Sequence, residues 1–151
     1  MATSKTSPAT KSVWSKEELA AARAAAKERA KAAKLSPEEA RAAGEPDVRA
    51  AIAAMPPDDR ALASRIHEIV STVAPDLVPR TFYGMPAYAK DGKVVCFFQS
   101  KAKFKVRYAT LGFQHPASLD DGEMWPVAFA VTSLSPASEG RIADLVKKAS
   151  R

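Results

Sequence analysis

Four cations recur at every second position near the middle of the chain: Lys101, Lys103, Lys105 and Arg107. Alternate residues of an extended strand share a face. The spacing therefore gathers all four on one side, where they can receive a small anionic ligand or an acidic protein partner. The same row also suits a solvated sheet surface that resists aggregation. Tyr83, Tyr88 and Trp125 each join an apolar body to a polar tip, which fits them to rim a small-molecule pocket. Asp120, Asp121 and Glu123 form a tight acidic group beside Gly122, and clustered carboxylates are the hard oxygen ligands that iron requires. A solvated turn has the same composition.

Other reactive groups stand in poor settings. His67 lies five positions after Leu62 on a helical pattern and is predicted to face away from its apolar stripe. His115 precedes a proline. Neither has a second His or Cys at ligand spacing, so structural zinc is not expected. Cys96 sits in mid-strand between Val95 and Phe97, where burial raises a thiol's pKa and disarms it as a nucleophile. There is no Gly-x-Ser-x-Gly elbow and no phosphate-cradling glycine loop. No catalytic residue is assigned, and binding without catalysis is the expected activity.

The elements that must position these groups follow from how apolar residues are distributed. Of the Val, Ile, Leu, Met, Phe, Trp, Tyr and Cys residues, 6 fall in positions 1–50 and 33 in positions 51–151, so only the second part can bury a core. The net charge of +6 divides equally between the two parts and gives a mildly basic surface. That is short of the dense basic blocks typical of nucleic-acid binding. No apolar run approaches the roughly 20 residues of a membrane span, the start of the chain has no apolar h-region, and Cys96 is alone. A cytoplasmic protein without disulfides is expected.

Residues 1–14 read as a disordered tail and 15–44 as an Ala/Lys-rich helical arm. Ser15 and Glu18 make a capping box for a helix over 16–34, which has almost no large apolar residue to pack with. Arg23, Lys27 and Lys31 line one side of it. That leaves nucleic-acid association through the arm as a third possible role, against which stands the lack of interleaved aromatics. Ser36 and Pro37 start a second short helix, Gly44 ends it, and Gly44-Glu45-Pro46 marks the boundary with the domain spanning 45–151.

Within that domain 47–54 reads as a short helix. Leu62, Ile66, Ile69, Val70 and Val73 form the stripe of a second helix, with Asp58 and Asp59 at its positive end. Strands are expected at 81–85, continuing through Tyr88 to a turn at Asp91-Gly92, then at 94–99, at 103–108 and at 127–132. Phe104, Val106 and Tyr108 alternate with the cations in the third of these. Ser135 and Pro136 open a terminal helix striped by Ile142, Leu145, Val146 and Ala149. The order predicts an α+β domain in two layers: an antiparallel sheet of four to five strands, helices on one face, and the other face open.

From about Met55 to Ala149 the chain resembles the YdhG-like family, a bacterial domain of unknown function. The resemblance rests on Tyr83-Gly84-Met85-Pro86-Ala87-Tyr88, the following Cys96-Phe97-Phe98 strand, the helix ending Ala74-Pro75-Asp76, and the final Arg141-Ile142-Ala143-Asp144-Leu145-Val146 helix. It implies a two-layer α+β domain and, for some members, a role as frataxin-like intracellular iron chaperones. It carries no catalytic residues, and iron is the one cofactor it brings into view.

Overall fold

A computed structural model of the 151-residue chain describes residues 14–32 and 35–151. The expected disordered tail lies, apart from Trp14, outside the described residues. Four helices and five strands follow in order: α1 (Lys16–Ala32), α2 (Pro37–Ala53), α3 (Pro57–Val73), β1 (Val78–Phe82), β2 (Met85–Lys90), β3 (Lys93–Gln99), β4 (Ala109–Phe113), β5 (Ala128–Val131) and α4 (Pro136–Ala149). The strands form one antiparallel sheet in chain order. This is the expected α+β class. No helix among the described residues is long and apolar enough to cross a membrane.

Side-chain alternation divides the sheet into two faces. Tyr88, Cys96 and Phe113 are cross-strand neighbours on one of them, as are Phe98 and Leu111. All five are buried in the core with Val48 and Ile52 of α2, Ile66 and Val70 of α3, and Ile142 and Val146 of α4. The opposite face carries Arg80, Ala87, Phe97 and Gly112 in register.

Helix α1 does not stand away from the domain. Its capping box forms as expected, with Glu18 N–H donating to Ser15 Oγ at 3.1 Å and Ser15 N–H to Glu18 Oε2 at 3.0 Å. The helix then returns to the second sheet face. Ala21 and Ala25 are buried, Glu28 Oε1 accepts from Gly84 N–H at 2.9 Å, and Glu17 pairs with Lys105 at 3.0 Å. Small alanine contacts substitute for the missing apolar stripe, and the face expected to be open is partly covered.

Three local expectations are corrected. The helix predicted to stop at Gly44 runs on as α2 through Pro46 to Ala53. Packing overrides the local breakers here, because α2 crosses β1 so closely that a Cβ on Gly44 would lie 1.8 Å from Pro79 O. The strand expected from 81 through Tyr88 is divided by a tight turn, with Tyr83 at φ 52° and Gly84 at φ 77°. This is the twist a two-residue hairpin requires, and Asp91-Gly92 repeats it at φ 52° and 77°.

The third correction concerns the row of cations. Residues 101–105 are a turn rather than a strand, and β4 begins only at Ala109. The backbone amides that a ladder would need are taken by other acceptors. The fully buried Asp59 carboxylate accepts from Lys101 N–H and Ala102 N–H, both at 3.2 Å. Ser100 Oγ accepts from Lys103 N–H at 3.2 Å. Lys105 has φ 54°, closing the turn with a Val106 N–H bond to Lys101 O at 2.9 Å. Val106 and Tyr108, expected in the dry layer, are exposed.

Candidate ligand-binding groove

Between α1, α2 and the β1–β2 side of the second face lies a groove of about 1090 Å³. A smaller cavity of about 410 Å³ continues beneath α1 toward Phe82, Val94 and Pro116. Leu35, Ala43, Val78 and Ala89 give the larger space an apolar wall. Arg80 borders both cavities, together with Glu28, Arg29 and Gly92.

Arg80 reaches this place because alternation along β1 puts it between Val78 and Phe82 on the second face. It is half-buried, and its Nε donates to Thr81 O at 3.3 Å. No carboxylate among the described residues pairs with it. Of the groups around it, Lys90 Nζ donates to Ser150 O at 2.9 Å, and Glu28 Oε1 accepts from Gly84 N–H, while Glu28 Oε2 is buried without a hydrogen-bond partner among the described residues. Asp76 and Asp91 are exposed at the rim of the larger cavity. They repel negative charge at the rim, and beside Arg80 the Arg29 guanidinium offsets the Glu28 carboxylate, so the arrangement suits a ligand with no more than one anionic group, set beside the two arginines.

The expected site residues are not brought together. Tyr83 stacks edge-on against Phe82, with ring centroids 4.6 Å apart. Tyr88 is buried in the core, and Trp125 is half-buried against it. None of the three lines either cavity. Lys105 pairs with Glu17, while Arg107 lies over the Tyr108 ring at 5.0 Å. Lys103 packs over Gly84, its Nζ 2.6 Å from where a Cβ on that glycine would be. Burial holds the Lys103 ammonium below its usual pKa, and the nearby Glu28 charge opposes that. Gly84 thus serves two needs, a positive φ and the passage of this side chain.

Asp120, Asp121 and Glu123 are exposed. Among the described residues no group of three or more His, Cys, Asp or Glu side chains converges as a metal ion would need. Cys96 is buried and its thiol is pushed up to about 12 by that burial, so it stays protonated. Of the α1 cations, Lys27 lines the groove and Arg23 is exposed; the Lys31 side chain lies outside the described residues.

A polar network escaped the sequence reading. His67 is buried, not turned to solvent. Its Nε2 lies 2.8 Å from Glu45 Oε1 and its Nδ1 2.8 Å from the Tyr88 hydroxyl. A carboxylate only accepts, so Nε2 carries the hydrogen toward Glu45, while Nδ1 and the Tyr88 hydroxyl share the second hydrogen bond. Burial raises the Tyr88 pKa far above its usual value, and charge on Cys96 or Glu45 acts the same way. For Glu45, burial acts to raise the pKa, but the His67 contact and then Arg49 outweigh it and the net shift is downward. With no route to solvent for Tyr88, the network ties α2, α3 and β2 together rather than acting on a ligand.

The signal for His67 was available. Ala63, Ile66, His67 and Val70 are spaced i, i+3, i+4, i+7, and all are buried, whereas Leu62, the reference for the prediction, is at the edge of the stripe. No protein-family model, no curated protein and no solved structure matches the chain.

Proposed function

We propose that this chain is a non-enzymatic binding protein of the YdhG-like type, taking a small ligand with an apolar body and one anionic group into the groove beneath α1. The observation that carries this reading is Arg80, a half-buried guanidinium bordering both cavities with no carboxylate partner among the described residues. A planar fork of donors beside an apolar wall matches a carboxylate, sulfonate or phosphate monoanion on a hydrophobic frame. The order of helices and antiparallel strands is that of the α+β class which the resemblance implies. The recognition surface is thus moved from Lys103, Lys105 and Arg107 to Arg80 and Arg29. No contact among the described residues favours iron delivery or nucleic-acid association over this role.

The probe is 8-anilinonaphthalene-1-sulfonate, which combines an aromatic frame with one sulfonate and fluoresces when shielded from water. Saturable enhancement is expected with the native chain. Arg80→Gln is expected to weaken it by about tenfold or more, the scale of one charge-assisted hydrogen bond. Arg107→Gln is expected to leave it unchanged. Equal affinity in Arg80→Gln and the native chain overturns the reading.

A further inference from the structure

Helix α1 meets the second sheet face along one stripe. Ala21, Ala25 and Glu28 are spaced i, i+4 and i+7, and the two alanines are buried. Glu28 Oε1 accepts from Gly84 N–H at 2.9 Å, but Oε2 is closed to water and has no hydrogen-bond partner. No other buried side-chain oxygen or nitrogen among the described residues is left in that state. Buried polar atoms are nearly always paired, so an orphan of this kind calls for a physical reason.

The cations around Glu28 do not satisfy it. Arg80 borders the same two cavities, yet its Nε donates to Thr81 O and no ion pair joins it to Glu28. The Lys103 ammonium packs over Gly84 and feels the Glu28 charge without donating to it. A guanidinium and an acceptor oxygen thus share one lining, farther apart than an ion pair. A ligand that carries both an anionic group and a hydrogen-bond donor meets both. Its donor needs a tilt of the Glu28 carboxyl, which one hydrogen bond holds, and it then reaches an acceptor from which no water has to be removed.

We propose that Glu28 sets the specificity of the groove, favouring acids that carry an uncharged O–H or N–H donor beside their anionic group, as hydroxy acids do, over acids of the same apolar frame without one. This rests on the groove as the ligand site. An acid that lacks the donor leaves Oε2 unpaired, which is how a buried acceptor discriminates between ligands of one shape. An uncharged donor is a better match than an ammonium, because Arg29, Arg80 and Lys103 already surround Glu28 with positive charge. Arg80 holds the anion, and Glu28 reads the group next to it.

Calorimetric titration of the full chain with phenyllactate and with hydrocinnamate, which differ by a single hydroxyl, tests this. Phenyllactate is expected to bind tighter by about tenfold or more, the scale of a hydrogen bond to a charged group. In Glu28→Gln the amide oxygen still accepts from Gly84 N–H, but an NH2 donor replaces the orphan acceptor, and the ratio of affinities is expected to fall to about one. If that variant does not fold, the ratio in the native chain decides. Phenylalanine, with an ammonium in place of the hydroxyl, is expected to bind more weakly than phenyllactate. Equal affinity of the native chain for phenyllactate and hydrocinnamate overturns the proposal while leaving the groove in place. So does a ratio unchanged by Glu28→Gln, or tighter binding of phenylalanine than of phenyllactate. A native chain that binds none of the three acids overturns the groove reading itself, and this proposal with it.

Discussion

His67 joins three elements through two short hydrogen bonds, and its removal leaves both partners stranded. In His67→Ala the Tyr88 hydroxyl, fully enclosed, loses its hydrogen-bond partner, and Glu45 loses the contact that offsets its burial. Orphaning a buried hydroxyl and opening a cavity together are expected to cost about 2–4 kcal/mol, read from urea unfolding. Tyr88→Phe deletes the hydroxyl and leaves the ring, so its cost is expected to be smaller, about 1–2 kcal/mol. Equal losses in the two variants would show that the shared hydrogen bond alone, not the packing of the histidine ring, carries the effect. Arg80 is the contrasting residue. Its partners on the second face come from α1, some fifty positions earlier, so nothing in its neighbourhood along the chain marked it as a site, whereas the alternation with Val78 and Phe82 did indicate its face.

Among the elements, α2 is the most informative. Gly44 weighs against a helix in isolation, and Gly→Ala in a helix interior ordinarily gains about 1 kcal/mol. Here the added methyl would meet Pro79 O at 1.8 Å, a backbone atom that cannot move aside. Overpacking of this kind costs about 1–3 kcal/mol, so Gly44→Ala is expected to lower stability despite its better propensity. A thermal melt above that of the native chain would contradict the packing described. The helix α3, marked by its apolar stripe, and α4, marked by its Ser135 cap and stripe, were legible in the sequence, as were the β2–β3 turn at Asp91-Gly92 and β3 itself. The 101–105 turn was not. Its alternation imitates a strand, and the competing bonds come from Asp59, far away in sequence, which read as a helix-end charge and is instead the acceptor that folds the turn. Tyr83-Gly84 was similarly masked, because tyrosine is an uncommon first residue for a turn needing two positive φ angles.

For the whole molecule, acid is the simplest perturbation. Glu17, Glu45 and Asp58 all have lowered pKa values: Glu17 through a backbone hydrogen bond and then Lys105, Glu45 through His67 and Arg49 against its burial, Asp58 chiefly through Lys101. A carboxyl with a lowered folded pKa contributes stability that is complete above its unfolded value, about 4, and is lost as pH falls through the folded one. The melting temperature is therefore expected to hold from neutrality to about pH 5 and then to decline. Adding salt at neutral pH is expected to loosen α1 more than the core, since Lys105 is largely exposed and Glu17 only partly buried, and screened pairs weaken first. Hydrogen exchange at Ala21 and Ala25, compared with Ile66 and Leu111, separates the two responses.

The strand order itself has a temporal consequence. Because β1 to β5 are neighbours in space in the order of the chain, each hairpin can zip as soon as its second strand leaves the ribosome, with no distant segment to await. The exception is α4, made after all five strands, whose Glu139 reaches back to Arg65 on α3. Until it docks, the apolar surface it covers stays wet, so truncation within the final helix should trap a nascent chain that has a nearly finished sheet and an unsealed interior.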